Sequence, residues 1–413
     1  MRYIWFIANK IGFGKGARFT KFMLLLGILS VSLSIMVMVL TSAITNGFQN
    51  QITNKVYNFW GHIHISGGYL DEFFDSDPIT LSSSIVDSIQ NLDLTSEGAH
   101  GKVTNVNGII QYPIIIQNSE TLEGAILRAV DSTYRFDILE KYIVEGKLEM
   151  FKQESRSILL STTICDRIDA EIGDKLILFF VKDNREIPRR FEIVGTYNTG
   201  LTEFDEEFVF LRHSDVAEIL GFERNEYTSY EVTLDYPEDI SIYDNYLYEE
   251  VIPSDLFNFS IEDQFDEIFN WVRLQEVNEK IIIGLLMLVC VINMITVFLI
   301  LVMEKVQLVG IFKALGATDG QVKRIFIYLA LRILVLGLII GNLVALTLGY
   351  IQQKWKWIKL DETEYYLKAA PIEFSWQFII LINLLCLVVC LLFMFIPAMV
   401  VSKISPARTL RFS

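Results

Sequence analysis

The chain has 413 residues, 52% of them hydrophobic, and a formal net charge of −15; its mean hydropathy is +0.39. That is too apolar for an ordinary soluble protein, and the acidic balance gives no reason to expect a nucleic-acid partner. The apolar residues are concentrated: no charge falls between Lys21 and Lys55, Lys280 and Glu304, Arg332 and Lys354, or Glu373 and Lys403. Each run exceeds the ~18 residues that cross a bilayer.

In chain order, residues 2–13 are apolar and aromatic with basic flanks, which suits an interfacial helix. A first span follows at 22–46. Its run is longer than a signal-peptide core and no Ala-x-Ala site follows it, so it is read as retained. It offers Ser30-x-x-x-Ser34 and leaves through Thr45-Asn46-Gly47-Phe48 into a polar helical continuation to about Tyr57. Further spans are expected at 281–303, 325–351 and 375–401; the third carries Gly337-x-x-x-Gly341, a small-residue packing face, and the fourth Pro397 near its end. Arg332 lies near enough to one end of its span to snorkel. Tyr350, Trp355, Trp357 and Trp376 suit an aromatic belt.

Charge sets the orientation. The arm 1–21 carries Arg2, Lys10, Lys15, Arg18 and Lys21 with no acid, the loop 304–324 is net basic, and the tail 402–413 has Lys403, Arg408 and Arg411. By the positive-inside rule all three are cytoplasmic, leaving 47–280 and 352–374 outside. Residues 47–280 hold 18 Lys and Arg against 44 Asp and Glu, a net of −26; the remainder of the chain is +11.

That insert reads as an α+β domain. Period-two patterns predict strands near 61–66, 103–116, 124–130, 157–160, 175–181, 190–197, 208–211 and 230–234; helices are expected near 82–91, 161–169 and 214–220. In 259–280, Ile261, Phe265, Ile268 and Val272 keep helical spacing, which predicts one stalk helix running into the second span. The fold class is therefore a membrane protein of four transmembrane α-helices with a large α+β extracytoplasmic domain between helices 1 and 2.

Catalytic chemistry is missing from the pattern. Gly12-Phe-Gly14-Lys15-Gly16 lacks the spacing and the Ser/Thr of a P-loop. Asp205-Glu206-Glu207 reads as a solvated acidic face, and His62 and His64 lack a third metal ligand. Cys165 is alone in the insert while Cys290, Cys386 and Cys390 lie in spans, so neither a disulfide in the insert nor a metal site is expected.

The loop 304–324 is the most informative segment. Leu308, Ile311, Phe312 and Leu315 form a helical stripe, with Gly310 and Ala314 one turn apart on a neighbouring face. Gly316 stands where a C-cap wants a left-handed residue, and Thr318 with Gln321 spells a capping box for the next helix. On pattern alone the loop is either an interfacial helix resting on headgroups or a stiff elbow gripped by a partner.

Glu304 followed by Val309-Gly310-Ile311-x-Lys313-Ala314-Leu315-Gly316-Ala317-Thr318, then Gln321-Val322-x-x-Ile325-Phe326, resembles the coupling loop of FtsX-like ABC transporter permeases, and more narrowly the lipoprotein-releasing LolC/LolE family. Asn46-Gly47-Phe48, Gly124-Ala-Ile-Leu-Arg-Ala-Val-Asp131, Val144-Glu-Gly-Lys147, Ile172-Gly-Asp-Lys175, Val194-Gly-Thr-Tyr197, Gly200-Leu-x-Glu-Phe-Asp205 and Ser405-Pro-Ala-Arg408 extend the resemblance over nearly the whole chain. It implies a type VII permease in the inner membrane that pairs with a second permease subunit and docks a separate LolD-like ATPase. The partner binds the ATP, so this chain is expected to be neither an enzyme nor a cofactor carrier. Carried over to the docking loop are Glu304, Gly310, Ala314, Leu315 and Gly316. The implied substrate is an acylated lipoprotein, drawn out of membrane lipid and handed to a periplasmic carrier.

Acyl chains cost ~0.8 kcal/mol per CH₂ brought into water, so the path must stay apolar. Met38, Leu40 and Phe48 on span one and Met287 and Val291 on span two are the candidate cavity lining. Carrier-binding relatives have a long Pro-rich hook; here 181–190 is short with one proline, and its Arg185, Arg189 and Arg190 are read either as a reduced hook for carrier docking or as a plain hairpin tip. Competing functions are a MacB-like mechanotransmitter, an FtsX-like regulator of cell-wall hydrolases and, from another class, a non-transporting receptor.

Overall fold

In the computed structural model, residues 18–68, 77–182, 185–361 and 365–402 are described. The arm 1–17, with the Gly12–Gly16 segment, and the tail 403–413, with Ser405-Pro-Ala-Arg408, lie outside them. The chain divides into two units: 1–50, 271–359 and 369–413 make a membrane unit, and 51–270 with 360–368 make an inserted domain.

Four helices are long and apolar enough to cross a membrane. Helix α1 runs unbroken over Arg18–Trp60. The insert's elements follow: β1 (Ile63–Ser66), α2 (Ser83–Gln90), β2 (Val103–Asn118), β3 (Thr121–Val130), β4 (Ile143–Gly146), β5 (Ser157–Ser161), α3 (Thr162–Ile168), β6 (Lys175–Lys182), β7 (Arg185–Tyr197), β8 (Phe208–Arg212), α4 (His213–Leu220), β9 (Ser229–Leu234) and β10 (Phe257–Ser260). Helices α5 (Asp266–Glu304), α6 (Val306–Ala314), α7 (Asp319–Trp355) and α8 (Trp376–Ser402) complete the chain.

In the membrane unit, small residues set the closest approach. A Cβ on Gly337 would lie 2.7 Å from Val31 Cβ, and one on Gly341 would lie 2.6 Å from the Ser32 carbonyl, so this face of α7 packs directly on the backbone of α1. Asn342 and Asn383 bind α7 to α8 by exchanging side-chain hydrogen bonds of 2.7 and 3.0 Å. Their remaining N–H groups donate to the Leu338 and Ile379 carbonyls one turn back. Neither amide is left unsatisfied in a medium without water.

The inserted domain is built on a mixed sheet whose strands β2, β3, β8, β5, β7 and β6 form a closed circuit, with β9, β1 and β10 continuing from β2 and β4 attached to β7. Alternation along β2 and β6 sends Ile110, Ile114, Ile116, Leu176, Leu178 and Phe180 into one core with Leu127, Ile193 and Leu211. Strand β2 serves three neighbours: Val103–Ile109 pairs with β9, Ile110–Asn118 with β3, and Ile114–Gln117 also with β6.

A buried cation organises the side of the sheet against Trp60. Arg128, 1% exposed, contacts Glu231 Oε1 at 2.5 Å, donates to the Phe59 carbonyl at 2.6 Å and stacks 4.5 Å over the Trp60 ring. Burial pushes the Glu231 carboxyl up to about 8 against the pull of Arg128. His62 and His64 are both buried. Leu234 N–H donates to His62 Nδ1 at 3.1 Å, and His64 Nε2 lies 2.7 Å from the Trp60 carbonyl. Desolvation lowers them to about 4 and about 3.

Two expectations are corrected. The stretch 259–280 is not one helix: β10 ends at Ser260, whose hydroxyl caps a short helix Ile261–Gln264, and Phe265 leaves helical geometry at φ −113°, ψ 47° before α5 begins. The Phe265 ring packs on Trp60 and Phe204 at 5.3 and 4.8 Å, and that aromatic contact accounts for the break better than the stripe accounts for continuity. Asp205 is not solvated either. It is buried, and its carboxylate accepts from Thr199 N–H (3.0 Å), Thr199 Oγ1 (2.9 Å) and Gly200 N–H (2.9 Å), fixing the turn before β8.

Leaving a buried polar group without its hydrogen-bond partner costs ~1–3 kcal/mol, more where the group is charged. Arg128→Met is therefore expected to cost about 3 kcal/mol in denaturant unfolding of the full-length protein in detergent, and Arg128→Met with Glu231→Gln to recover part of it. Below pH 6.5 the unfolded chain gains protons on two histidines that the fold excludes until about 4 and 3, so stability falls with pH. Glu231 opposes this between pH 4.5 and 8, where the fold holds a proton the unfolded chain lacks. Together these three groups contribute a slope of about 1.4 kcal/mol per unit between pH 4.5 and 6.5, steepening below, and unfolding curves of wild type and of the His62→Gln, His64→Gln variant across this range check it.

Candidate functional site

The segment joining α5 to α7 is a closed elbow. Lys305 breaks α5, and α6 ends with a paired hydrogen-bond motif: Ala317 N–H reaches the Phe312 carbonyl at 2.9 Å, and Gly316 N–H the Lys313 carbonyl at 3.0 Å. This geometry needs a left-handed residue, supplied by Gly316 at φ +92°. Thr318 and Gln321 then exchange capping-box bonds, and Lys313 spans the bend to Asp319 at 2.9 Å. Orphan backbone groups on both sides of the turn are satisfied locally, which makes the elbow stiff.

The carried-over residues separate into two sets. Ala314, Leu315 and Gly316 are exposed at the elbow's tip, Leu315 at 80%. Gly310 is buried beside Val309, which belongs to the bundle core with Val322 and Phe326. Glu304 is half-buried, accepts from Thr20 at the start of α1 and pairs with Lys305 Nζ at 2.9 Å. The stripe Leu308, Ile311, Phe312, Leu315 is therefore not the face α6 turns to its own bundle: Val309 and Gly310 do that, while Ile311 and Leu315 face out.

The expected cavity lining is also redistributed. Met38 lies on the stripe Leu24, Val31, Ile35, Met38 that faces the bundle core, and Val291 is in the same core. Leu40 packs on that core, and Phe48 meets Trp271 edge-on at 6.4 Å. Met287, at the edge of the same core, lines a groove of about 520 Å³ between α1, α5 and α8. The outward stripes of the first two membrane helices are Phe22, Leu25, Leu29 and Leu33 on α1, and Ile281, Leu285, Leu288 and Ile292 on α5.

The arginines at 185–190 do not form one patch. β6 and β7 pair with Lys182 opposite Arg185 and Ile177 opposite Arg190; the turn residues 183–184 lie outside the described residues. Alternation places Arg185 and Arg189 on one face of β7 and Arg190 on the other. Three cysteines that sequence spacing kept apart do meet: the Sγ atoms of Cys290, Cys386 and Cys390 lie 4.0 Å from one another in the bundle core. Cys386 and Cys390 are one turn apart, but nothing in the sequence placed α5 against them.

Residues 280–406 match the FtsX-like permease C-terminal family, and residues 24–243 match the MacB-like periplasmic core domain. The chain belongs to the FtsX-like permeases with a MacB-like core domain. It is similar to the lipoprotein-releasing system transmembrane protein LolC of Buchnera aphidicola subsp. Acyrthosiphon pisum, 21% identical over 402 residues that cover 95% of this chain and 94% of the relative. It is also similar to the lipoprotein-releasing system transmembrane protein LolE of Haemophilus influenzae, 20% identical over 402 residues, 92% of each chain. Among solved structures, the extracellular domain of the ABC-type transporter YknZ from Gram-positive bacteria aligns at a TM-score of 0.32 with 11% identity, covering 48% of this chain and 99% of that one.

As a member of this family the chain is the multi-pass permease component of an ABC transporter of the inner membrane, and the ATPase lies on a separate subunit. The elbow lies entirely within the FtsX-like segment. Its two sets of residues predict opposite phenotypes. Gly310→Trp forces a ring into the unit's own core and is expected to lower stability by ~1–3 kcal/mol, read as a drop in Tm. Leu315→Asp is expected to leave Tm unchanged and to reduce ATPase co-purification about tenfold or more, the scale of an interface hot spot.

Proposed function

We propose that this chain extracts acylated lipoproteins from the inner membrane, driven by a LolD-like ATPase that grips the elbow at Ala314, Leu315 and Gly316. The observation that carries this reading is the elbow: a largely exposed leucine held on a doubly capped turn between two membrane helices. A stiff turn passes displacement to α7, while Glu304, tied to Thr20, couples the end of α5 to the start of α1. Both α1 and α5 continue unbroken past their apolar runs.

The names of the similar LolC and LolE proteins support lipoprotein as the cargo. The orientation that follows places the elbow and both termini in the cytoplasm and the inserted domain in the periplasm, in keeping with the positive-inside rule. A second permease subunit completes the apolar path, lined by the outward stripes Leu29, Leu33, Leu285 and Ile292 rather than by Met38 and Val291. The β6–β7 hairpin, with Arg185 and Arg189 on one face, is the surface offered to a periplasmic carrier.

Depletion is the test. Acylated lipoproteins are expected to accumulate in the inner-membrane fraction on depletion, and Leu315→Asp to reproduce the effect. Normal delivery to the outer membrane in depleted cells rejects the cargo and favours a MacB-like pump of another substrate. Transport that persists with Leu315→Asp rejects the elbow as the grip.

A further inference from the structure

The groove between α1, α5 and α8 has two levels. Met287, Phe378, Leu381 and Leu385 make one wall apolar, and Asn46, Gln49, Glu276, Glu279 and Lys280 form a polar rim. Its volume, about 520 Å³, falls among small-molecule sites of ~300–1,000 Å³. Gly284 keeps it open, since a Cβ there would meet nothing within 4 Å.

The charges on the rim do not cancel locally. Glu276 pairs with Lys280 one turn on, at 2.6 Å. Glu279 is only 7% exposed, and its hydrogen-bond partner is the Ser42 hydroxyl. Lys280, the next residue, acts on it through its field but makes no ion pair with it. A carboxylate taken out of water without a hydrogen-bonded cation is costly, and a bound ammonium with N–H donors supplies both the charge and the hydrogen bonds. An apolar wall below such a carboxylate fits a molecule with an acyl tail and an ammonium head.

We propose that this groove is a binding site for an ammonium-headed membrane phospholipid, phosphatidylethanolamine, with its amine on Glu279 and an acyl chain along Met287 and Phe378. Lys280 and the Asn46 amide supply donors for the adjoining phosphate; Lys280 is exposed and carries three N–H groups, of which Glu276 uses one. The choline head has the charge without the N–H donors, and phosphatidylglycerol has neither. The expected order of affinity is ethanolamine, then choline, then glycerol.

Binding at this groove is measured without transport. Full-length protein, purified in detergent and delipidated, is titrated with phosphatidylethanolamine, phosphatidylcholine and phosphatidylglycerol, and bound lipid is counted by native mass spectrometry. Wild type is expected to prefer ethanolamine over glycerol headgroups by about tenfold, the scale of one charge-assisted hydrogen bond. Glu279→Gln is expected to reduce that ratio to about one, and Gly284→Leu to remove binding of all three lipids while Tm is kept. Equal binding of the three lipids by wild type, or an unchanged preference in Glu279→Gln, overturns the proposal. So does binding of a diacylated lipopeptide with a free α-amine where phosphatidylethanolamine does not bind, which assigns the groove to cargo.

Discussion

A bilayer interior offers no hydrogen bonds, and this one constraint shapes the membrane unit. Every N–H and C=O in the spans must be satisfied by the chain itself, so the spans are long helices. Between α5 and α7 the helix ends are closed within a few residues by the Gly316 turn and the Thr318–Gln321 capping box. The same bonds that let the chain reverse make the reversal rigid. A rigid reversal with Leu315 at its tip is a surface on which a partner can push.

The inserted domain obeys the same accounting in a different solvent. Its sheet closes on itself, and the polar groups shut inside or behind it must find partners or carry a cost. Arg128 is held by Glu231, the Phe59 carbonyl and the Trp60 ring; Asp205 by the Thr199–Gly200 backbone. In the sequence these two residues stood inside short recurring motifs with no visible reason. The fold gives the reason: one is a buried cation seated against Trp60, the other a carboxylate that shapes a turn.

Much of the architecture was legible because it depends on local rules. Uncharged runs gave the spans, alternation gave strands β1 to β3 and β5 to β9, and cap chemistry gave the elbow at Gly316 and Thr318. Strands β4 and β10, four residues each, were missed. The break at Phe265 was missed because helical spacing continues through it, while the aromatic contacts that oppose it come from Trp60 and Phe204, far away in sequence.

The sites were legible as segments and not as faces. Sequence spacing located the elbow, yet which side of α6 packs inward depended on Val309 meeting Val322 and Phe326. Arg185, Arg189 and Arg190 are neighbours in sequence but sit on opposite faces of β7. The Cys290–Cys386–Cys390 cluster and the groove at Glu279 exist only because α5 and α8 come together. By itself the sequence determined that this is a four-span membrane protein with an acidic insert and a capped elbow, since composition, period and caps act over one helix or one strand. Only the tertiary structure decided which residues face the core, a groove or a partner, because a side chain's environment is set by whatever distant segment packs against it.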